Sequence, residues 1–302
     1  MHDLIIIGAG PAGLTSALYA GRSRLNILVL EKMSVGGRIL MSEIIENYPG
    51  FVGSALTQEL MQRMEEQVKS LGVKIEADEV LDLDCQTHSI KTAANTYSAK
   101  AIIIAVGARP KKLGCPGEDK LIGKGVSYCA TCDGPFYKEK EVMVVGGGDA
   151  VAEEAIYLTR FAKKVNIIHR RNEMRASLIL QERLKENKKI NFVLSSIVTE
   201  ISGTNKVEGV KVKDVNTQKE RIISCDGVFI YIGNVPETAF VKNKLKLDEA
   251  GFIITEPDMA TGVEGIFAAG DCRKKTLYQV VTACGDGAIA ADSAYKYIAS
   301  KG

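Results

Sequence analysis

Residues 127–134 read SYCATCDG, with Cys129 and Cys132 three positions apart and Asp133 directly after them. Two thiols at this spacing have three chemical uses. They close a disulfide, they supply half of a four-ligand zinc site, or they pack inertly as small apolar groups. Zinc needs a second ligand pair, and the chain has no other CxxC; the thiols Cys85, Cys115 and Cys225 stand singly, and there are only 3 histidines. Inert burial fits poorly with the polar Thr131 and Asp133 and with the Gly134-Pro135 turn. As a redox pair, one thiol attacks a partner's disulfide and the other resolves the mixed disulfide, while an adjacent carboxylate exchanges the proton. The pair reads as a redox disulfide, and that chemistry needs an electron source.

Two candidate sources flank it. Residues 4–7 are an all-apolar strand running straight into GAGPAG, with Gly8, Gly10 and Gly13, and LTSALYAGR then reads as a helix. A second apolar strand, 27–30, ends on Glu31, at about the 20-residue separation from the glycines that a ribose-binding acid requires. In such a unit the backbone approaches a pyrophosphate at the helix N-terminus, and the carboxylate accepts from a ribose hydroxyl. The pattern returns in EVMVVGGGDAVAEEAIYLTR, where Gly146, Gly147 and Gly148 join a strand to a helix. Its next strand, 165–168, ends on His169, Arg170 and Arg171, with Arg175 expected one helical turn on. Guanidinium groups there suit a 2′-phosphate, because arginine forks match phosphate oxygens. A merely solvated basic turn is the plainer reading, and the glycine turn before it makes that reading the weaker one. The first site is expected to take a nucleotide with a free ribose, the second a phosphorylated one.

Two more segments belong with the first turn. AKAIIIAVGARP is a buried strand ending at Gly107, and GIFAAGDC is another ending at Gly270 and Asp271. They place backbone and one carboxylate at the sheet edge where such folds bind ligands. The stretch LYQVVTACGDGAIAADSAYKYI reads as a long helix rich in small residues. The order is therefore one nucleotide domain, a second, and a return to the first. This is an α/β chain of two Rossmann-like three-layer domains, the second inserted into the first, with segments 1–112, 113–239 and 240–302. The crossings are expected near 111–116 and 235–243.

Composition sets limits on partners. The chain has 302 residues, 46% apolar and 25% charged, with a net charge of +2. That suits a soluble protein of two cores and provides no electrostatic reason to bind nucleic acid or an anionic membrane. No apolar run approaches the roughly 20 residues of a membrane span, and MHDLIIIGAG reads as a buried strand, not a signal peptide. An odd 7 cysteines argue against a secreted disulfide framework and for a reducing, cytoplasmic setting.

SYCATCDG, GGGD and HRRNEMRAS, framed by GAGPAG, ENYPG and AAGD, resemble the low-molecular-weight thioredoxin reductases essentially end to end. The resemblance implies that the first and last segments bind FAD, while the inserted domain binds NADPH and carries the disulfide. By position it implies FAD contacts from Gly8, Gly10, Gly13, Glu31, Gly37, Arg38, Asn47, Gly107, Asp271, Gln279 and Val280. Gly146, Gly148, His169, Arg170, Arg171 and Arg175 are implied to hold NADPH. Cys129 and Cys132 are the implied redox pair, Cys132 nearer the flavin, with Asp133 as acid and base. Oxidised thioredoxin or a thioredoxin-like protein is the implied substrate, and the family is commonly homodimeric. Nicotinamide and disulfide both ride on the inserted domain, yet each must reach one flavin ring. The domain is therefore expected to swing about its crossings.

Some positions depart from the family pattern. Ala150 and Val151 stand where Ser or Thr and then Ala are usual, and a branched Val151 is expected to crowd helix against strand. Arg38 replaces a Gln, Tyr278 replaces an Arg, and Cys115, Cys272 and Cys284 replace aliphatic or small residues. Neutral drift with compensating packing is the plainer account. Because Arg38 and Tyr278 fall in flavin-lining segments, ferredoxin is the alternative electron donor. Electron transfer from ~−400 to ~−270 mV is downhill by roughly 6 kcal/mol for two electrons. The intact HRRNEMR cluster favours NADPH and counts against a disulfide-forming flavin oxidase. Nothing in the chain favours a non-enzymatic redox sensor.

Overall fold

Each glycine turn follows the central strand of a parallel sheet, and alternation along those strands assigns the layers. In the computed structural model of the protein the chain forms two units, Met1–Arg109 with Val235–Gly302, and Pro110–Asn234. The structure describes every residue except 42, 43, 46, 52–54 and 302, and of Met41, Ile44, Thr131 and Cys132 only the backbone. The chain passes between units at 109/110 and 234/235, slightly before the expected 112 and 239. Both crossings lie on short strands, Ala108–Pro110 and Asn234–Pro236, which pair with each other.

In the first unit, strands Lys74–Ala77, Ile27–Glu31, His2–Ile7 and Thr96–Ile104 lie side by side in parallel, and Ile266–Ala268 pairs in parallel with Thr96–Ile104. Successive residues of a strand face opposite sides. Leu4, Ile6, Val29, Ala101 and Ile103 pack against helices Pro11–Arg22, Thr57–Ser70 and Val280–Lys301. Ile5, Ile7, Leu28, Leu30, Ile102 and Ile104 pack on the other side, with Leu83 and Ile90 of the antiparallel strands Val80–Asp84 and Ser89–Thr92. That makes three layers. Buried on both faces, residues 4–7, 27–30 and 101–104 read as unbroken apolar runs.

The second unit repeats the plan. Val126–Ser127, Gly227–Tyr231, Glu141–Gly146, Lys164–Ile168 and Ile190–Val193 form an all-parallel sheet. Val142, Val144, Val165, Ile167 and Phe229 face helices Asp149–Leu158 and Leu178–Glu186. Met143, Val145, Val228 and Ile230 face a three-stranded antiparallel sheet through Val198, Ile201, Val210 and Val212. Among the described residues no helix is long and apolar enough to cross a membrane.

Positions within the glycine turns make different steric demands. A Cβ on Gly13 would lie 1.8 Å from the Gly8 carbonyl oxygen, so helix and strand can approach only because it is absent. At Gly148, the N-cap of the second helix, a Cβ would meet nothing within 4 Å. In urea denaturation Gly13→Ala is expected to cost about 3 kcal/mol, and Gly148→Ala less than about 1 kcal/mol.

Candidate active site

The residues expected to hold the first nucleotide all fall in the first unit, where its parallel strands end. His2–Ile7 stops at Gly8, whose φ of 104° and close approach to the Ala105 oxygen (a Cβ would lie at 2.4 Å) leave no room for a side chain. Gly10 caps helix Pro11–Arg22, and the first N–H groups of a helix have no intrahelical partner. Glu31 closes the next strand. Its Oε2 accepts the Ala9 N–H at 2.7 Å and its Oε1 the Met33 N–H at 3.0 Å. An ionised carboxylate has about four acceptor positions, so each oxygen retains one for a ribose hydroxyl. A cavity of about 420 Å³ opens here, lined by Gly8, Glu31, Asp78, Val80, Val106 and Phe240 among others.

The remaining first-site positions converge on the same edge. Gly36 donates to Ala9 O at 2.9 Å, which brings Gly37 and Arg38 beside the turn. Gly107 follows Thr96–Ile104 and accepts the Glu237 N–H at 3.2 Å. Asn47 and Gln279, 232 positions apart, are joined by Asn47 Nδ2 donating to Gln279 Oε1 at 3.1 Å, and Val280 begins the C-terminal helix. Asp271 sits in the turn after Ile266–Ala268. Its Oδ1 has no hydrogen-bond partner, although Lys275 Nζ stands 3.5 Å away, and burial pushes its carboxyl up against the pull of Lys275 and Arg38. A buried acceptor left open in this way fits a ligand hydroxyl. The support behind it had no sequence signature. Asp286 accepts the Gly270 N–H, Arg273 and Lys275, each at 3.1 Å.

The second turn and its arginines are stitched together. The His169 ring lies against Gly147, where a Cβ would meet Cε1 at 2.3 Å. His169 is 4% exposed, its Nε2 has no hydrogen-bond partner, and burial with Arg175, Arg171 and Arg170 lowers its pKa. Arg170, Arg171 and Arg175 are exposed beside it. Arg175 is not one helical turn beyond Arg171. Residues 170–177 run irregularly, because the Arg175 N–H bonds Gly147 O at 2.6 Å and the Ser177 N–H bonds Asp149 Oδ1 at 2.6 Å, and the helix starts only at Leu178. These two bonds fold the arginine loop back onto the glycine turn, and the open ring nitrogen among three guanidinium groups fits an anion. The crowding expected from Val151 does not arise. Val151 is fully buried, with its Cγ2 against the side of Gly146 where a Cβ would stand 2.6 Å away.

Cys129 lies between strand Val126–Ser127 and helix Ala130–Asp133, is 6% exposed, and is disulfide-bonded. The Cys132 side chain lies outside the described residues, as does Glu46 of ENYPG. Asp133 is half-buried, and its N–H donates to Cys129 O at 3.2 Å. Two neighbours carried no signal in the sequence. Tyr231 is one, its hydroxyl accepting the Ala130 N–H at 2.8 Å. The other is Glu118, 1% exposed, which accepts from Tyr128 at 2.7 Å and from the Leu113 and Gly114 N–H groups. Of the other departures, Cys272 and Cys115 lie in apolar cores. Tyr278 rests on Phe252 with ring centroids 5.4 Å apart, and burial pushes the Cys272 thiol up to about 12 and that of Cys115 to about 11. Cys284 Sγ stands 3.9 Å from the Tyr48 hydroxyl.

Comparison with known proteins gives the same picture. The family model described as pyridine nucleotide-disulphide oxidoreductase matches residues 2–287. The thioredoxin reductase of Peptoclostridium litorale is 48% identical over 306 residues, covering 99% of this chain and 97% of the relative. The crystal structure of Lactococcus lactis thioredoxin reductase in its FR conformation matches with a TM-score of 0.96 at 43% identity, covering 99% of this chain and 100% of that one. A ferredoxin-flavin thioredoxin reductase from Clostridium acetobutylicum is more distant, at 33% identity and a TM-score of 0.53 over 99% of this chain and 98% of its own. With its paired glycine turns, its CxxC helix and this similarity over nearly its full length, the chain belongs to the pyridine nucleotide-disulphide oxidoreductases, within the thioredoxin reductases.

Proposed function

We propose that the protein reduces thioredoxin or a thioredoxin-like protein at the expense of NADPH, with FAD resident in the first unit and NADPH bound by the second. The observation that carries the choice of NADPH is the arginine loop folded onto the second glycine turn, with the His169 Nε2 left open beside it. A chain fed by ferredoxin has no use for that loop. Bound FAD supplies a two-electron relay between a nicotinamide and a disulfide. The chain's own groups bind and orient. Glu31 takes the adenosine ribose through its remaining acceptor positions, the first-turn N–H groups of Pro11–Arg22 face the pyrophosphate, and Asp271 with the Asn47–Gln279 pair holds the polar flavin end. Arg170, Arg171 and Arg175 hold the 2′-phosphate.

Thiol chemistry then needs only the CATCD segment. The Cys129 thiolate attacks the partner's disulfide, forming a mixed disulfide and releasing one partner thiolate. The Cys132 thiolate displaces the second partner sulfur and restores the Cys129–Cys132 disulfide. Both partner sulfurs leave as thiols, and Asp133 moves a proton in this exchange. The chain passes between the units only twice, so a swing of the second unit about 109/110 and 234/235 is part of the proposal. A homodimer in the cytoplasm is also part of it, supported by the exposed Val281, Ile289 and Tyr295 of the C-terminal helix.

NADPH added anaerobically is expected to bleach the flavin, and oxidised thioredoxin then to drive turnover. A flavin left oxidised by NADPH but bleached by reduced ferredoxin overturns the donor. Arg171→Ala is expected to raise KM for NADPH by about tenfold or more, the loss of a charge-assisted hydrogen bond of about 1.5–3 kcal/mol, with KM for NADH little changed. Steady-state kinetics with the two nucleotides checks this. Cys129→Ser should leave the flavin reducible by NADPH and abolish thioredoxin turnover, as stopped-flow absorbance and a coupled thiol assay will show.

A further inference from the structure

We infer that Ser127 and Tyr231 are positioning residues for Cys129: their hydroxyls pin its main chain and so set the effective concentration of its sulfur toward the partner cysteine. This rests on the reading of Cys129 as redox-active. The helix Ala130–Asp133 has only 4 residues, and a single helical turn returns too few hydrogen bonds to hold itself in shape. What holds it comes from the sheet. The Ser127 hydroxyl accepts the Cys129 N–H at 3.0 Å and donates to the Cys129 carbonyl at 3.1 Å. The Tyr231 hydroxyl accepts the Ala130 N–H at 2.8 Å from 101 positions away. Two hydroxyls thus engage both polar backbone groups of Cys129 and the next N–H.

Both anchors are rigid. Ser127 is 4% exposed and pairs with Phe229 in the parallel sheet, and Tyr231 ends that same neighbouring strand, paired with Gly146 of the second glycine turn. The Cys129 backbone is therefore fixed to the two strands beside it. In the dithiol state a loose backbone lets the sulfurs part, whereas a pinned one keeps them within reach, which favours ring closure and lowers the midpoint potential of the pair. Removing either hydroxyl leaves a poorly solvated N–H without this partner and frees the turn. The effective concentration is expected to fall about tenfold, which raises the midpoint by about 30 mV.

The test equilibrates wild-type, Tyr231→Phe and Ser127→Ala flavoproteins anaerobically in dithiothreitol redox buffers. Free thiols are then trapped by acid and alkylation, and the Cys129 peptide is quantified by mass spectrometry. Flavin content and bleaching by NADPH are recorded alongside as a check on folding and on the second nucleotide site. Expected is a midpoint about 30 mV higher in each variant, with flavin content and bleaching as in wild type. Potentials equal to wild type in both variants overturn the inference, and a shift in Ser127→Ala alone overturns the part assigned to Tyr231. Should Tyr231→Phe lose its flavin, Ser127→Ala decides, because it acts on the Cys129 N–H independently. A wild-type disulfide that never exchanges with the buffer overturns the functional reading itself.

Discussion

Parallel pairing of the strands is the constraint on which both sites depend. His2–Ile7 lies between Ile27–Glu31 and Thr96–Ile104, all running the same way, with Ile266–Ala268 beyond. Parallel strands bring their carboxyl ends to one edge. Gly8, Glu31, Gly107 and Asp271 come from four separate stretches of sequence and meet there because each follows or closes one of these strands. The bare Cα of Gly13 against the Gly8 oxygen lets the helix start close enough to face the same edge. In the second unit, Gly146 and His169 end or follow adjacent strands in the same way.

The two candidate nucleotide sites differ in where they keep their charge. Around Asp271 the charges are withdrawn from water: the side chains of Lys275, Asp286 and Arg273 are 7%, 11% and 13% exposed. Paired acids and bases of this kind hold a turn in place, because breaking one pair leaves its partner unsatisfied in a poorly solvated site. The arginines of the second site are exposed, and Arg175 contacts the turn through its backbone N–H. Exposure of these side chains fits the proposed role of holding a ligand that arrives and leaves. The contrast fits the proposed resident FAD in the first site and exchanging NADPH in the second.

The redox turn draws its stability from neighbours. A four-residue helix bordered by a short strand has little of its own, and the hydroxyls of Ser127, Tyr128 and Tyr231 tie it to the sheet and to buried Glu118. Two buried free thiols are kept from competing. Burial lifts Cys272 and Cys225 to about 12, so that neither is an appreciable thiolate at neutral pH.

By itself the sequence determined the two α/β units, the turn glycines, Glu31 and the CATCD pair, because each is a local pattern: an apolar run, a fixed glycine spacing, an acid or arginine cluster at a strand's end. It also predicts the inserted order of the units. Local spacing predicts a helical turn through Arg175, but what shapes that loop is non-local: the Arg175 N–H donates to Gly147 O and the Ser177 N–H to the Asp149 carboxylate. Val151 was expected to crowd its turn, and whether it does depends on the bare Gly146 across from it. Glu118, Tyr231 and Asp286 gave no sign in sequence for the same reason, since their partners lie in other segments. Local chemistry is written in residue types and spacing; which distant hydroxyl or carboxylate supports it is decided only when the strands pair and bring those segments together.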